Sequence, residues 1–317
     1  MKKPHVLWAV TVLNDMGYHV LSSNPQVIQI NPWSEVYRFE TNQGLIILKK
    51  VPPALSLESN VIQVLSKVFN ADVPQVFSHN QELHCFLMKN AGIQLHEHFK
   101  KNFKADVLIQ AVQNYIQLQI MASSKISLFF DLGVPDWRLE KLPQLYQALL
   151  YEENLLIEDG LTKHELIKLK EIAPKLSAFC NQLSQFKVKD TFGHADFHDK
   201  NILIDTRTNH TTIIDLGEVV ITHPFFSFLN CIHRAKENFA LSDEQYQQLQ
   251  LACFKPWLAL ETQENLFEIL GIIQQCWSIH SVLGEFRLMK SVDQSAFQAL
   301  HRQGRLSKNL RYWINQD

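Results

Sequence analysis

The sequence is poor in cysteine, and the cysteines it has are not arranged in pairs. The 317 residues contain five, and none belongs to a Cys-x2-Cys pair: Cys85, Cys180, Cys231, Cys253 and Cys276. An odd, scattered set of this kind argues against a disulfide framework and against a cysteine-rich zinc site. It favours a reducing compartment, and we therefore expect a cytoplasmic protein.

Charge of one sign and long apolar runs are also lacking. Thirty Lys and Arg residues against 32 Asp and Glu give a formal net charge of −2, without the concentrated basic patch that a nucleic acid or a membrane surface would require. No run approaches the roughly 18 apolar residues of a membrane span. The apolar stretch 6–13 ends in polar residues without an Ala-x-Ala cleavage site, as an N-terminal helix would. We expect no nucleic-acid or membrane partner, and a monomer or weak homodimer.

The order of strand and helix patterns predicts an α+β fold with two lobes. Short segments rich in β-branched and aromatic residues predict strands at 25–30, 34–40, 45–50 and 83–89. Together with one amphipathic helix at 55–69, they predict a small β-rich lobe at 1–90. The segment NAGIQL reads as a linker. Helical patterns dominate 91–317 and predict continuous helices at 95–122, 139–156 and 163–186. Short strand-like segments interrupt them near 191–192, 202–204 and 212–214. Ligand clefts commonly form where two such lobes meet.

One stretch, TFGHADFHDKNILID at 191–205, carries an unusual density of chemical groups. Asp196 precedes Asn201 by five positions, and the strand-like segments around the turn TRTNH bring Asn201 close to Asp215. Amide and carboxylate oxygens suit Mg²⁺, which takes few protein ligands and fills its octahedron with phosphate and water. Asp196 would then orient or deprotonate an acceptor hydroxyl.

Two other interpretations of this stretch compete with phosphoryl transfer. His194 and His198, with Asp199 or Asp215 as a further ligand, have the spacing of a metal site in a hydrolase. The acidic and amide side chains could also cap the backbone of a turn-rich loop. Tightly bound zinc would support the first of these alternatives.

The motif His194-x-Asp196-x4-Asn201, followed by Asp215-Leu216-Gly217, resembles the aminoglycoside phosphotransferase and choline kinase family, relatives of the eukaryotic protein kinases. Several family elements follow in the expected order, so the resemblance covers most of the chain. It implies a two-lobed, protein-kinase-like fold. Asp196 is implied as the catalytic residue, with Asn201 and Asp215 as ligands of Mg²⁺.

The resemblance also implies which residues of the small lobe bind the nucleotide. The segment GLIILKKVP is similar to the family strand whose lysine holds the α- and β-phosphates, which favours Lys49, with Lys50 as the alternative. Glu58 is the only acid in the helix at 55–69 and would pair with that lysine. FLMKNAG resembles the segment that reads adenine through its backbone, which assigns the Lys89 carbonyl and the Ala91 amide.

The turn that should cover the phosphates departs from the family pattern because INPWSEVYRF contains no glycine. Glycine lets backbone amides approach phosphates closely. Ser34 could supply a hydroxyl and an amide, but Trp33 beside it is bulky. This departure makes nucleotide affinity, and the preference for ATP or GTP, open questions.

The implied function is ATP- or GTP-dependent phosphorylation of a hydroxyl on a small molecule. The alternative is a catalytically weak, pseudokinase-like module that binds a nucleotide or metabolite, which the glycine-free turn favours. Relatives handle aminoglycosides, choline, amino alcohols and sugars, so the acceptor stays open. Trp277 and Glu285 lie on a C-terminal helix where they could bind a cationic or sugar-like acceptor; a core helix with a polar edge is the competing interpretation.

Overall fold

The computed structural model of the protein describes residues 3–22, 24–293, 295 and 302–316. Five antiparallel strands form the sheet of the N-terminal part: β1 (Gln26–Asn31), β2 (Ser34–Thr41), β3 (Gly44–Lys50), β4 (Val76–Asn80) and β5 (Cys85–Lys89). Their spatial order is β1-β2-β3-β5-β4. The β2–β3 pair is in register along its whole length, from Glu35 opposite Lys50 to Thr41 opposite Gly44.

Two helices pack against this sheet. In α1 (Pro4–Asp15), the apolar residues Val6, Ala9 and Leu13 recur at helical spacing and join a small core with the sheet. Helix α2 (Glu58–Phe69) buries an apolar stripe in the larger core of the molecule and ends at Asn70, whose left-handed backbone closes the last turn.

The alternation of side chains along β3 decides which of two adjacent lysines faces the interior. Ile46 and Leu48 point toward α1 and are buried there. Successive strand residues face opposite sides, so Lys49 points to the other face and is itself buried, at 5% exposure. Lys50 lies at the outer side, where its ammonium is 3.3 Å from the Glu35 carboxylate.

The C-terminal part is mainly helical. Its helices are α3 (Leu95–Phe99), α4 (Ala105–Ala122), α5 (Ser127–Phe130), α6 (Leu142–Tyr151), α7 (Glu153–Glu158), α8 (Lys163–Glu171), α9 (Ala173–Ser184), α10 (Phe225–Asn238), α11 (Asp243–Phe254), α12 (Gln263–Lys290) and α13 (Arg305–Ile314). Helix α12 packs along α10 and α13 and carries a buried apolar face.

Two small sheets carry the chemistry-bearing stretch, and all their strands except β6 lie between α9 and α10 in the chain. One contains β6 (Ile93–Gln94), β8 (Ile202–Ile204) and β9 (Thr211–Ile213), in the order β6-β8-β9; the other pairs β7 (Thr191–Gly193) with β10 (Val220–Thr222). Because β8 and β9 are antiparallel, the residues just before β8 lie beside those just after β9. The Ile214 amide accordingly donates to the Asn201 carbonyl at 3.0 Å.

Most of the elements predicted from sequence are present, with differences at their ends. Strands β4, β6 and β10 were not predicted, and β6 lies in the segment NAGIQL that was predicted as a linker. The helical segments predicted as continuous at 95–122, 139–156 and 163–186 are each divided into two, as α3–α4, α6–α7 and α8–α9. Pro143 and Pro174 lie in the first turns of α6 and α9, where proline is tolerated because the first amides of a helix have no intrahelical acceptor.

The interior encloses all five cysteines, and each is a free thiol.

Among the described helices, α12 alone reaches the length and hydropathy of a membrane span, with a mean hydropathy of 1.2 over 18 residues. The sequence contains no contiguous apolar run of that length, so this helix was not expected to pass the test. It does so because a mean over 18 residues includes the polar residues that lie between the apolar ones. Of that window, 61% is buried inside the protein, as in the core helix of a globular fold.

Candidate active site

The centre of the site is an ion-pair cluster that joins the two parts of the chain. The Lys49 ammonium lies 2.8 Å from Oε1 and 2.7 Å from Oε2 of Glu58, and 2.5 Å from Oδ1 of Asp215. Glu58 opens α2 and is almost completely buried. Its Oε1 also accepts a hydrogen bond from the Leu216 amide at 3.2 Å. The cluster therefore fixes β3, α2 and the Asp215 segment relative to one another.

Charges within the cluster keep Lys49 protonated and Asp215 ionised. Burial alone would lower the pKa of Lys49, but the carboxylates of Asp215 and Glu58 outweigh burial and raise it. Burial alone would raise the pKa of Asp215, and the Lys49 ammonium outweighs that effect and lowers it. Asp215 has a left-handed backbone, with φ of 63°, which turns its side chain toward the cleft. That side chain stays 48% exposed.

The loop from His194 to Asn201 holds Asp196 at the mouth of the cleft. The Asp196 side chain is 44% exposed, and its Oδ2 accepts a hydrogen bond from Nε2 of His198 at 3.1 Å. The Asn201 amide donates to the Asp196 carbonyl at 2.9 Å. Burial alone would raise the pKa of Asp196, but the bond from His198 and nearby positive charge lower it to about 2. Asp196 is therefore a carboxylate at neutral pH.

His194 and His198 support this loop through both nitrogens of their rings. His194 is fully buried, donates from Nε2 to the Ile214 carbonyl at 2.9 Å, and accepts the Asp196 amide on Nδ1 at 3.3 Å. The Lys200 amide donates to Nδ1 of His198 at 3.1 Å. That bond favours the neutral ring, although the neighbouring carboxylates of Asp196 and Asp199 outweigh burial and raise the pKa of His198 to about 9.

This arrangement argues against the zinc interpretation of the motif. The ring nitrogens of His194 and His198 already have hydrogen-bond partners, so neither ring presents a free lone pair to a metal. Within 3–22, 24–293, 295 and 302–316, no group of three or more His, Cys, Asp or Glu side chains is arranged to hold a metal ion.

The glycine-free turn between β1 and β2 is closed by its own side chains. The Asn31 carboxamide accepts the amides of Trp33 at 2.9 Å and Ser34 at 2.8 Å. Gln29 donates to the Ser34 hydroxyl at 2.9 Å. The Ser34 amide, suggested from sequence as a phosphate donor, is therefore occupied here, while its hydroxyl lines the cleft. Trp33 reaches across the cleft, and its indole Nε1 donates to the Leu288 carbonyl at 3.0 Å.

A cavity of about 500 Å³ lies between the five-stranded sheet and β8. Lys89 and Ala91, the residues suggested to read adenine, both line it, and so do Lys49, Asn201 and Asp215. The Ala91 amide has no hydrogen-bond acceptor among the described residues. An unpaired backbone donor in a cavity that is also lined by apolar residues such as Ile47 and Leu203 is suited to a flat, hydrogen-bonding ring such as a nucleobase.

A second cavity, of about 400 Å³, continues from the first past Asp196 and Asp215 toward α10 and α12. Sequence reasoning missed several charged residues that line it: Glu218, Arg234, Arg302 and Arg305. Burial, with the charges of Asp215 and Asp196, raises the pKa of Glu218 to about 8. Its position three residues after Asp215 was the available sequence signal. The arginines gave no signal because they come from α10 and from the start of the 302–316 segment.

Trp277 and Glu285 line this second cavity, as the acceptor-wall interpretation required. Glu285, however, is not available to a cationic acceptor. It accepts two hydrogen bonds from the Arg302 guanidinium, one from Nε to Oε1 at 2.7 Å and one from Nη2 to Oε2. Phe225 and Phe226 are buried at the start of α10 and anchor it in the larger core.

Solved structures with a similar fold include small-molecule phosphotransferases. Among solved structures, an aminoglycoside phosphotransferase from Streptomyces rimosus in complex with ADP and streptomycin aligns with a TM-score of 0.54 at 14% identity, over 89% of this chain and 99% of that chain. An ethanolamine kinase from Plasmodium vivax aligns at 0.57 and 11%, over 92% and 81%. A macrolide 2'-phosphotransferase type I aligns at 0.61 and 12%, over 96% and 98%. No curated protein sequence matches.

These structural similarities confirm the predicted fold, a two-lobed, protein-kinase-like α+β architecture. At 11–14% identity they show the fold alone. Sequence membership comes from a separate comparison with protein-family models. The model described as Phosphotransferase enzyme family matches residues 27–260, well over half of the chain. The chain therefore belongs to the phosphotransferase enzyme family.

Proposed function

We propose that this protein transfers the γ-phosphoryl group of ATP or GTP to a hydroxyl of a small molecule. The acceptor oxygen forms a bond to the γ-phosphorus while the bond from that phosphorus to the β–γ bridging oxygen breaks. The acceptor proton passes to the Asp196 carboxylate, and the products are a phosphate monoester and ADP or GDP. Catalysis then rests on positioning and charge neutralisation, without a covalent intermediate.

The arrangement of Lys49, Glu58, Asp215 and Asp196 carries this proposal. Lys49 is buried, protonated and fixed by two carboxylates, so it presents a preorganised positive charge at the junction of the two cavities. Asp196 and Asp215 are the exposed carboxylates on the same junction. A phosphate chain lying from the first cavity to the second would pass Lys49 and bring its terminal phosphorus toward Asp196.

The donor set at Asn201 and Asp215 fits Mg²⁺. Asn201 donates through its amide nitrogen to the Asp196 carbonyl, which leaves the amide oxygen free, and Asp215 uses only Oδ1 for Lys49. Two hard oxygen ligands with open space beside them suit a cation that keeps several waters and binds phosphate. When bound, Mg²⁺ neutralises charge on the transferring phosphates. Glu218, three residues after Asp215, would add a further carboxylate.

In the first cavity, we propose that Lys89 and Ala91 bind the nucleobase through backbone groups, with Ser34 contributing its hydroxyl near the phosphates. The unpaired Ala91 amide is the observation that supports this placement. The assignment of the strand lysine to Lys49 rests on burial and on the ion pairs with Glu58 and Asp215. Lys50, the alternative, is paired with Glu35 on the outer side.

The pseudokinase-like alternative has one observation in its favour. The turn amides that would cover the phosphates are occupied by Asn31, so this turn as it stands contributes fewer backbone donors than a glycine-rich one. The unobstructed Asp196, Asn201 and Asp215 favour catalysis over binding alone, because a binding module has no need of an exposed carboxylate beside the metal ligands.

A screen of hydroxylated metabolites and antibiotics for acceptor-dependent ADP or GDP release tests the proposal. It would be run with ATP and with GTP, at millimolar nucleotide and Mg²⁺, beside Asp196→Asn as the inactive control. Nucleotide binding should also raise the melting temperature, since a ligand present at 100 times its Kd stabilises a fold by about 2.7 kcal/mol. Nucleotide-induced stabilisation without turnover of any acceptor would favour the pseudokinase-like alternative. The absence of both would exclude both functions.

A further inference from the structure

The second cavity has two ends of different electrical character. At one end lie the groups that the proposed function assigns to phosphates, metal and proton transfer. The other end is formed by α10, α12 and the segment that begins at Arg302. This distal region, which we call the acceptor end, is lined by the charged residues Arg234, Glu285, Arg302 and Arg305.

Among the described residues, the single acid at the acceptor end is already neutralised. Glu285 is 8% exposed and is held by Arg302 through two hydrogen bonds. The Arg305 guanidinium lies 3.9 Å from the same carboxylate, so Glu285 faces two cations. His280 also lines the cavity, but burial lowers the pKa of its imidazole to about 3. The ring therefore carries no charge at neutral pH.

Two arginines at the acceptor end, Arg234 and Arg305, keep a positive charge that a ligand could bind. Arg234 lines the cavity from α10, is exposed, and has no hydrogen bond or ion pair with any described residue. Its charge reaches Asp196, whose pKa it helps to lower. Arg305 is 52% exposed and has only the long contact with Glu285. The acceptor end thus carries three guanidinium groups against one carboxylate.

This balance is opposite to the one a polycationic acceptor requires. A cation placed beside an unpaired arginine is repelled by its like charge, more strongly where water is excluded. Three other acids of the C-terminal part do not offset this charge, because they are engaged away from the cavity. Glu152 lies 3.5 Å from the Lys290 ammonium, Glu153 pairs with Lys170, and Asp159 accepts the amides of Gly304 and Ser307.

We infer that the acceptor is an anion: a small molecule that carries a carboxylate or phosphate group as well as the hydroxyl to be phosphorylated. The inference rests on the proposed function. Arg234 and Arg305 bind the anionic group with charge-assisted hydrogen bonds, for which guanidinium geometry is suited. Arg302 serves as a positioning residue that holds Glu285 and the wall of the cavity. The acceptor hydroxyl then lies toward Asp196.

The test compares acceptors that differ in charge and little else, using the full chain with Mg²⁺ and ATP or GTP. Glycerol, glycerate and glycerol 3-phosphate form one matched series, and ribose with ribose 5-phosphate forms another. Ethanolamine, choline and kanamycin are the cationic arm. Turnover is followed as NDP release, and acceptor binding to the Mg²⁺–nucleotide complex is followed by calorimetry. The glycerate and phosphate arms distinguish a carboxylate site from a phosphate site.

The expected result is that an anionic acceptor has a kcat/KM at least about tenfold above its neutral partner, a difference of about 1.4 kcal/mol in transition-state binding. Higher kcat/KM for a cationic acceptor would overturn the inference and leave the proposed function intact. If no anion were turned over or bound, the inference would also fail. The nucleotide-induced change in melting temperature would then show separately whether the nucleotide site is real.

Arginine variants separate acceptor binding from a role in chemistry. Arg234→Ala and Arg305→Ala should raise KM for the anionic acceptor about tenfold or more, with a smaller change in kcat and little change for the neutral partner. Arg207→Ala, on the exposed turn between β8 and β9, is the matched control and should alter neither. Equal losses with anionic and neutral acceptors would mean that Arg234 contacts the transferred phosphoryl group, and would overturn its assignment to the acceptor.

Discussion

The indole nitrogen of Trp33 donates a hydrogen bond to the Leu288 carbonyl across the cleft, at 3.0 Å. The Arg302 guanidinium lies over the same ring, 4.9 Å from its centroid. Trp33 belongs to the turn between β1 and β2, whereas Leu288 lies on α12. Trp33, a bulky residue in the turn that we propose covers the phosphates, therefore connects that turn to the wall of the acceptor end.

Trp33→Ala should release the turn from α12 and weaken binding of both nucleotide and acceptor. The lost hydrogen bond and cation–π contact should lower the free energy of unfolding by about 1–3 kcal/mol. Trp33→Phe keeps an aromatic face for Arg302 and removes only the N–H donor, so it should have a smaller effect. The measurements are urea denaturation and KM for each substrate. Unchanged KM values in Trp33→Ala would show that the contact is not used in substrate binding.

Lys49→Ala should abolish measurable nucleotide stabilisation, whereas Lys50→Ala should leave it nearly unchanged. Lys50 pairs with Glu35 on the outer side, and Glu35 keeps Lys3 as a second partner, so the loss of this partly buried pair should cost about 1 kcal/mol or less. Removing Lys49 leaves the Glu58 carboxylate buried without its partner, which costs about 3–5 kcal/mol in stability.

The double variant Lys49→Ala with Glu58→Gln separates the effect on stability from the effect on nucleotide binding. Replacing the buried charge should recover much of the lost stability, while nucleotide binding stays absent because the ammonium is still missing. Melting temperature with and without Mg²⁺–ATP or Mg²⁺–GTP provides both readings. Nucleotide stabilisation that persisted in the double variant and disappeared in Lys50→Ala would move the assignment to Lys50.

Asp196→Asn should lower turnover by roughly 10²–10⁴-fold, the usual contribution of a positioned proton acceptor. Nucleotide affinity should change little, because the substitution keeps the size of the side chain and the Asn201–carbonyl bond. Since the pKa of Asp196 is held at about 2, activity of the unmodified protein should not decline through protonation of this group until pH falls well below 4. Near-full turnover in Asp196→Asn would refute the catalytic assignment.

Asp215→Asn should behave differently from Asp196→Asn. It weakens a proposed metal ligand and removes one of the two carboxylates that face Lys49. We expect a higher Mg²⁺ requirement, measured as the concentration that gives half-maximal turnover, with partial recovery of rate at high Mg²⁺. A Mg²⁺ titration that overlaid that of the unmodified protein would exclude Asp215 as a ligand.

Gly92→Ala should destabilise the connection between β5 and β6. Gly92 has φ of 132°, and a methyl group there would lie 2.1 Å from the Ile204 carbonyl oxygen. Backbone atoms cannot move away cheaply, so we expect a loss of at least about 2 kcal/mol in the free energy of unfolding. Gly271→Ala on α12, where nothing lies within 4 Å of the added carbon, is the matched control. It should stabilise the helix by about 0.5–1 kcal/mol.

Much of the fold could be predicted from periodicity, and the errors have local causes. Strands β2 and β3 carry alternating buried residues and were predicted almost to their ends, because one face packs on α1. β4 was missed because its residues, VFSHN, are half-buried and polar on both faces. The divided helices look continuous in sequence, since their apolar spacing carries across the break between α8 and α9. The change in direction between the two helices of each pair is visible only in the tertiary structure.

The site was predictable where its residues are close in sequence and not where they come from distant helices. Asp196, Asn201 and Asp215 lie within one motif, and the hairpin of β8 and β9 brings their backbones together. Arg234 and Arg305 are separated by 71 positions in the numbering, and no spacing rule joins them. The hydrogen bond that occupies the Ser34 amide could not be predicted from sequence either, because it depends on the conformation of the turn that Asn31 stabilises.

The five buried thiols allow unfolding of the protein to be followed by alkylation of its own cysteines. Burial raises the pKa of Cys85, Cys180 and Cys253 to about 12, and only the thiolate reacts rapidly with alkylating reagents. Modification therefore has to wait for the fold to open, so its rate follows how often the protein opens. Any molecule that binds the closed form will slow that rate. Candidate acceptors can thus be ranked by the protection they give to cysteines that none of them touches.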